Sequence, residues 1–252
     1  MKLLIDLGNS RLKSALWDGS HLRHGPMLAH GPGADAPPAA AEFAALWNEI
    51  APVGEIWIAS VATTTLEHEL TQSLATRFAV TPRFARSPAN ACGVHNGYSA
   101  PARLGIDRFL GMVAAHALIP GAAVIASNGT ALTLDAIDAG GRHLGGLIAP
   151  SPGLMRSALL HRTARLGEIG AAAIVDFADT TASAVESGTW LAAVALAERF
   201  VERTHARLGV DPALIVCGGG GKRLAALLTH SHRLEADLVL RGLALFADAA
   251  HT

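Results

Sequence analysis

Short apolar runs alternate along the chain with longer segments of helical spacing. The runs at residues 3–5 and 55–62 have the composition of buried strands, whereas residues 66–78 and 108–118 show the apolar spacing of helices. Strands that alternate with helices are typical of the α/β class. The pattern therefore predicts an α/β protein.

One arrangement of strand, small polar turn and returning strand occurs twice, at residues 3–17 and again at residues 123–138. The repetition predicts two duplicated halves with a cleft between them. We place the boundary near residue 118, which gives an N-terminal half of residues 1–118 and a C-terminal half of residues 119–252.

Other segments give weaker expectations. Residues 24–40 hold four prolines and are predicted to form a loop, and residues 87–104 are predicted to form a long irregular segment. Helices are expected over residues 181–207, 221–230 and 235–250.

Composition narrows the kinds of partner. Of the 252 residues, 50% are apolar and 16% are charged, and the formal net charge is −1, so no broad attraction to nucleic acid or an anionic membrane is expected. Two cysteines are too few for a disulfide scaffold and suit a reducing cytoplasm. The N-terminal apolar run stops at Asp6, so neither a signal peptide nor a membrane span is predicted. A small-molecule partner is expected.

The segment DLGNS (residues 6–10) has the features of a phosphate site. Gly8 lets a ligand approach the backbone, exposed N–H groups can bind anionic oxygens, and Asp6 can hold Mg²⁺ directly or through water. Lys13 adds positive charge. The alternative is an ordinary hairpin turn with a solvated aspartate.

A second candidate is SNGTALTLD (residues 127–135), in which Asn128 and Gly129 favour a turn and Thr130 offers a hydroxyl group. Alone it reads as another hairpin turn. Two such turns at equivalent places in two halves could face each other across a cleft and hold one triphosphate.

The sequence GGGGKR (residues 218–223) follows an apolar run and precedes a helical segment. A Walker phosphate loop would need glycine at Val216 and a hydroxyl at Arg223, so this motif is excluded, and a dinucleotide fingerprint fits poorly. The remaining interpretations are a glycine surface that packs against adenosine and a plain tight turn.

Asp107 and Arg108 begin a predicted helix in GIDRF (residues 105–109). An aspartate in the first turn of a helix often only complements the helix dipole. The same pair also suits phosphoryl transfer, in which the carboxylate accepts a hydroxyl proton and the guanidinium binds an anionic group. No HExxH, GxSxG or metal-binding cysteine spacing occurs.

Taken together and in order, the motifs resemble those of type III pantothenate kinases. They are IDLGNSRLKSALWDG, Tyr98, GIDRFLGMVAA, SNGTALTLD, GGLIAPSPGLMRSAL, TTASAVESG and the late GGGG, and they span nearly the whole chain. The resemblance implies two ribonuclease-H-like halves of the actin and hexokinase type. It also implies a cytoplasmic homodimer that phosphorylates pantothenate with ATP, the first step of coenzyme A synthesis.

Site residues are implied by the same resemblance. The ATP-binding set is Asp6, Leu7, Gly8, Asn9, Ser10, Arg11, Leu12, Lys13 and Thr130, with Asp6 also at the Mg²⁺ ion. Asp107 is the implied proton acceptor, and the pantothenate set is Tyr98, Gly105, Ile106, Asp107, Arg108 and Thr181.

The chain departs from the family pattern at one motif. The family usually has D-A-G-T where this chain has Ser127-Asn128-Gly129-Thr130, and the missing aspartate is a ligand for a monovalent cation, potassium or ammonium, in many members. A neutral Ser127 cannot supply that charge, which puts the cation requirement in question.

Two alternative functions are left open. One is a non-catalytic accessory or regulatory protein of the same fold, and the other is a different phosphotransferase of the superfamily, such as a sugar kinase. Tyr98 and Thr181, on the substrate side, favour pantothenate over these alternatives.

Overall fold

The structure is a computed structural model that describes residues 1–30, 40–162, 170 and 172–250. In chain order the strands are β1 (Lys2–Leu7), β2 (Arg11–Trp17), β3 (Leu22–Ala29), β4 (Glu55–Ser60), β5 (Arg83–Phe84), β6 (Asn90–Ala91), β7 (Val94–His95), β8 (Ala123–Asn128), β9 (Ala131–Ile137), β10 (His143–Pro150), β11 (Ala213–Cys217) and β12 (His232–Leu234). The helices are α1 (Ala40–Leu46), α2 (Thr64–Phe78), α3 (Ile106–Leu118), α4 (Pro152–Arg162), α5 (Thr181–Leu208), α6 (Gly221–Ala225) and α7 (Leu238–Ala249).

The chain forms two compact units. The first unit contains the residues up to Leu118 together with the C-terminal segment that starts at Leu238, and the second unit contains Ile119–Asp237. The sequence placed residues 119–252 in the C-terminal half, and the difference is the last helix, α7, which packs in the first unit. Sequence order alone does not determine on which sheet a terminal helix packs.

A five-stranded sheet, in the order β3-β2-β1-β4-β5, is the centre of the first unit. Strand β1 is antiparallel to β2 and parallel to β4. Leu3, Ile5 and Leu7 are fully buried on one face of β1, where they pack with Phe43 and Trp47 from the α1 segment. Leu4, on the opposite face, is also fully buried, so this central strand is covered on both faces.

The second unit repeats this plan. Its five-stranded sheet has the order β10-β9-β8-β11-β12, so β8 corresponds to β1, and β9 and β10 correspond to β2 and β3. Strand β8 is again antiparallel to the strand that follows it and parallel to β11. The core lies between this sheet and α5, with Leu132, Leu134 and Trp190 among its members. The predicted α/β class and duplicated halves are confirmed.

Several local expectations were wrong. The predicted loop at residues 24–40 contains most of β3 and the start of α1, while residues 31–39 lie outside the described part of the chain. Pro26 is tolerated in β3 because that strand lies at the edge of its sheet. Helix α6 ends at Ala225 rather than near residue 230, and the segment after it contains β12. The segment 87–104 is largely irregular, as predicted, and its regular parts are the short β6–β7 hairpin and a 3-10 turn at Pro101–Arg103.

Helix α7 is held to the first unit by close packing and by a polar cluster. A β-carbon on Gly242 would collide with the backbone carbonyl oxygen of Leu110 in α3, so the two helices cross with no room for a side chain. The Lys2 ammonium group donates to Asp248 Oδ1 at 2.8 Å, and Trp17 Nε1 donates to the other carboxylate oxygen at 2.9 Å.

Among the described helices, none combines the length and apolar character that crossing a bilayer requires.

Candidate active site

The register of the first hairpin places Asp6 beside Lys13. Asp6 is the second-last residue of β1, and its Cα partner across the antiparallel pair is Lys13 of β2. Both side chains are half-buried rather than packed in the core. An acid and a base therefore lie next to each other where the two strands join.

The turn after Asp6 is closed by backbone hydrogen bonds, and the side chains of Asn9 and Arg11 in it are exposed. Gly8 N–H donates to the Arg11 carbonyl oxygen at 3.0 Å, which closes the turn, and the Ser10 carbonyl oxygen accepts from His30 N–H at 2.9 Å. The side chains of Leu7 and Leu12 are fully buried in the core. Within the predicted ATP-binding set, these two leucines can offer a ligand only their main chain.

Asp107 lies in the first turn of α3, as the sequence predicted. Its Oδ1 accepts a hydrogen bond from Arg108 N–H at 2.9 Å. A β-carbon on Gly105 would lie 2.6 Å from the same oxygen and 3.9 Å from Cγ1 of Val61. Glycine at position 105 therefore leaves the space that the Asp107 carboxylate occupies. Ile106, between them, is buried in the core.

Val61 lies beside the start of α3, at the edge of the sheet where β1 and β4 end. It follows β4, and its N–H donates to the Leu7 carbonyl oxygen at 3.1 Å, which extends the β1–β4 pairing by one residue. Sequence reasoning missed Val61. The signal was available, because the carboxyl ends of neighbouring parallel strands meet at one edge of a sheet.

Electrostatics show that the structure brings Asp6, Asp107 and Lys13 together. The pKa of the Asp6 carboxyl is raised to about 7, chiefly by burial and also by the negative charge of Asp107, while the positive charge of Lys13 lowers it. Two carboxylates near one another with a lysine beside them are typical of a site that binds a cation together with phosphate groups.

Arg108 and Tyr98 form a pair near this site. The Arg108 side chain is buried, its NH1 donates to the Tyr98 hydroxyl at 2.8 Å, and its guanidinium lies 5.6 Å from the centre of the tyrosine ring. The structure thus joins two residues of the predicted pantothenate set. Thr181, a third member, is the exposed first residue of α5 and belongs to the second unit.

In the second unit, the β8–β9 turn and the strand-to-helix turn after β11 lie side by side. We call residues 129–130 the second turn and residues 218–221 the glycine turn. Thr130 is exposed, and Ser127 is half-buried near the end of β8. Strand β11 runs parallel to β8 with Cys217 opposite Ser127, so both turns lie at the same edge of the sheet. The buried side chain of Asn128 lies between them, and sequence reasoning gave it only a turn-forming role.

Comparison with known proteins identifies the family. A sequence model described as type III pantothenate kinase matches residues 2–203. The chain belongs to the type III pantothenate kinase family. A relative of that name from Xanthomonas campestris pv. campestris is 42% identical over 97% of this chain and 96% of its own length. Another, from Nitrosococcus oceani, is 34% identical over 98% of this chain and 94% of its own length.

Solved structures agree on the fold. A Sinorhizobium meliloti protein assigned as a 2-dehydro-3-deoxygalactonokinase matches with a TM-score of 0.62 and 18% identity, covering 99% of this chain and 96% of the other. A Campylobacter jejuni protein assigned to the Baf family of transcriptional activators matches with a TM-score of 0.60 and 21% identity over 99% and 100% of the two chains. The predicted family, the actin- and hexokinase-like fold and the pantothenate kinase activity are confirmed.

Proposed function

We propose that this chain transfers the γ-phosphoryl group of ATP to the primary hydroxyl group of pantothenate, with Asp107 as the proton acceptor. The hydroxyl oxygen bonds to the γ-phosphorus as the bond from that phosphorus to the bridging oxygen of ADP breaks. The hydroxyl proton passes to the Asp107 carboxylate. The products are 4′-phosphopantothenate and ADP.

One observation carries this proposal. The charge of Asp107 is close enough to raise the pKa of Asp6, and Asp6 in turn lies across the hairpin from Lys13. An aspartate that served only as a helix-start residue would not need to lie near a second carboxylate, because two negative charges in one place oppose each other. The arrangement suits a site that is completed by a cation and a phosphorylated ligand.

The residues present fit a magnesium ion. The raised pKa of Asp6 means that its ionised form lacks compensation, and a divalent cation would supply it. Among the described residues no three His, Cys, Asp or Glu side chains form a metal cage, so Asp6, with phosphate oxygens and water, would hold the ion. Bound Mg²⁺ would neutralise the charge that develops on the phosphate oxygens.

The nucleotide is proposed to bind through main-chain groups and Lys13. In the first unit, Gly8, Asn9 and Ser10 present backbone groups, and the Lys13 ammonium group stabilises the transferring phosphoryl group. In the second unit, Thr130 and the glycine turn are proposed to contact the nucleotide. At Gly218 and Gly220 the space that a β-carbon would need is occupied by Asn128, so this turn is held closely against the end of β8.

Pantothenate is proposed to bind beside α3. Its carboxylate and amide groups offer acceptors for the Arg108 guanidinium and the Tyr98 hydroxyl, which the structure joins at 2.8 Å. Oδ1 of Asp107 lies against Gly105 and accepts from Arg108 N–H, and the carboxylate is proposed to accept the proton of the substrate hydroxyl. Thr181 is proposed as a further pantothenate contact.

For the monovalent cation, we propose that potassium or ammonium is not strictly required. Ser127 provides a hydroxyl oxygen where the family usually has a carboxylate, and a neutral oxygen attracts a cation much less than a charged one does. Turnover should therefore change little when potassium or ammonium chloride replaces a salt of a bulky organic cation.

Two further properties of the family are proposed for this chain. A homodimer is supported by exposed apolar side chains on β10 and α4, namely Leu147, Ile148, Leu154 and Leu159. A cytoplasmic location is supported by Cys92 and Cys217, which are both thiols rather than halves of a disulfide.

The test is a direct assay of the purified chain with ATP, Mg²⁺ and pantothenate, in which mass spectrometry detects 4′-phosphopantothenate. The expected result is product that depends on both substrates. A folded protein that binds ATP but makes no product under any monovalent salt would contradict the proposal and favour the accessory-protein alternative.

A further inference from the structure

Residue 128 contacts the glycine turn at several points. Gly220 N–H donates to the Asn128 carbonyl oxygen at 2.8 Å, and Asn128 Nδ2 lies 3.4 Å from the Gly220 carbonyl oxygen. The Asn128 side chain is buried, with 2% of its surface exposed. A buried amide costs free energy unless its polar atoms find partners, so the position of this side chain is strongly specified.

Two glycines of the turn are fitted against Asn128 in different ways. A β-carbon on Gly218 would lie 2.5 Å from the Asn128 carbonyl oxygen, and Gly218 has φ +87°, so both backbone contact and conformation require glycine there. A β-carbon on Gly220 would lie 2.6 Å from Asn128 Nδ2 but 3.4 Å from the carbonyl oxygen. Gly220 has φ −94° and ψ 3°, which alanine can adopt.

We propose that Asn128 is a positioning residue that fixes the glycine turn against the second turn, so that both present their backbone to the nucleotide in one arrangement. This rests on the proposed function, in which both turns bind ATP. Asn128 itself does not contact the reacting atoms. It acts by filling the space between two loops that must keep their spacing.

The geometry gives a test that a general loss of stability would not mimic. Gly220→Ala should displace the glycine turn because the new methyl group collides with the Asn128 amide. In the double variant Gly220→Ala with Asn128→Ala, the amide is gone, and the remaining 3.4 Å contact is close to ordinary van der Waals distance. Asn128→Ala removes the spacer and should itself raise KM for ATP, but by less than Gly220→Ala does. The double variant should therefore recover to the level of Asn128→Ala and not to that of the parent.

The experiment measures kcat and KM for MgATP, and ADP affinity by calorimetry, in the parent and the variants. Gly220→Ala is expected to raise KM for ATP about tenfold or more with kcat changed by less than about threefold. The double variant should return to within about threefold of Asn128→Ala alone, a strongly non-additive result. Gly218→Ala, whose clash is with backbone, should not be rescued by Asn128→Ala.

The outcomes distinguish a failure of the Asn128 role from a failure of the proposed function. An inactive parent enzyme would refute the kinase activity, whereas the calorimetric arm would still report on ADP binding. An active parent with an unaffected Gly220→Ala variant, or a double variant as impaired as Gly220→Ala, would overturn the role of Asn128. Melting temperatures of all variants, with Gly188→Ala as a glycine control whose new methyl group meets no neighbour, separate misfolding from mispositioning.

Discussion

At the scale of single residues, the fold controls the protonation of Asp6. Its ordinary pKa of 3.8 is raised to about 7 in the folded protein. Between these values the folded state binds a proton that the unfolded state releases, so the stability of the ligand-free protein falls as the pH rises from about 4 to about 7. The ionised carboxylate therefore destabilises the ligand-free protein at neutral pH, and the magnesium ion proposed above would compensate its charge.

Asp6→Asn should stabilise the ligand-free protein in a pH-dependent way. The neutral amide removes a penalty that, after allowance for solvent at the half-buried side chain, is about 2 kcal/mol at pH 8, or roughly 4–8 °C in melting temperature. At pH 4 the gain should vanish. Thermal denaturation at both pH values measures this, together with magnesium-dependent turnover, which the variant should lose.

Asp18→Asn is the matched control. Hydrogen bonds from the His21 and Ser20 N–H groups lower the pKa of this exposed carboxyl to about 2, so its charge favours folding above pH 4. The substitution should give no stabilisation at pH 8. An Asp6→Asn variant that melts like its parent at every pH would mean that the Asp6 carboxyl is not perturbed.

Asp107→Asn tests the proton acceptor. The amide keeps the shape of the side chain but cannot take a proton, so kcat should fall about 10²–10⁴-fold. Asparagine serves at a helix start about as well as aspartate, so stability should change by about 1 kcal/mol or less. Turnover, ADP affinity and melting temperature should be measured on one preparation, and turnover within twofold of the parent would end the assignment.

The sequence was sufficient to predict Asp6 at a strand end and Asp107 at a helix start, because each carboxylate lies close to a glycine at the boundary of an apolar pattern. The motif alone did not indicate that Leu7 and Leu12 point into the core. The two-residue spacing of apolar residues along β1 was a signal for Leu7. The sequence could not assign Asn128, whose importance depends on a strand that lies about ninety residues further along the chain.

At the scale of elements, helices α3 and α7 cross with the backbone of Gly242 directly against the backbone of Leu110. Gly242→Ala should destabilise the protein by about 3 kcal/mol, because a rigid carbonyl group of Leu110 occupies the space of the methyl group. Gly188→Ala, in a helical position of α5 with open space around it, should instead stabilise by about 0.5–1 kcal/mol through helix propensity. Denaturant unfolding of the two variants provides the comparison.

Equal stability of these two variants would show that α7 does not approach α3 closely.

The long elements were predictable because each carries a repeated apolar pattern and a clear end. In α2, for example, Thr63 accepts from Leu66 N–H and Ala79 adopts a left-handed conformation. The prolines at residues 24–40 favoured a loop, but proline is also tolerated in an edge strand, because not every N–H group of such a strand is needed for pairing. Two- and three-residue strands such as β5 and β12 carry too few residues to show a pattern.

At the scale of the whole molecule, the exposed apolar side chains on β10 and α4 predict self-association. Light scattering should give twice the mass of one chain. Ile148→Glu, which places a charge on a side chain that is 65% exposed, should give single chains without unfolding, because a charge is costly to bury in an interface but not in water. A parent protein that is monomeric at assay concentration, with full turnover, would rule out the dimer.

The duplication was predictable from the repeated strand-turn-strand pattern, because each copy carries its own local signal. The places of β4 and β5 in the sheet order were not, because parallel pairing joins segments that are distant in sequence. The packing of α7 in the first unit was not predictable either, because it depends on contacts between residues that are distant in sequence. Examples are the contacts of Asp248 with Lys2 and Trp17.

The return of the chain to its first unit also has a consequence for biosynthesis. Ribosomes make a protein from its N-terminus, so β1 to α3 emerge first, yet their unit lacks α7 until the chain has been made past Leu238. The second unit, Ile119–Asp237, is one uninterrupted stretch and is complete before that point. The unit that carries Asp6 and Asp107 is therefore translated first and finished last, and a chain released early would lack the helix that completes this unit.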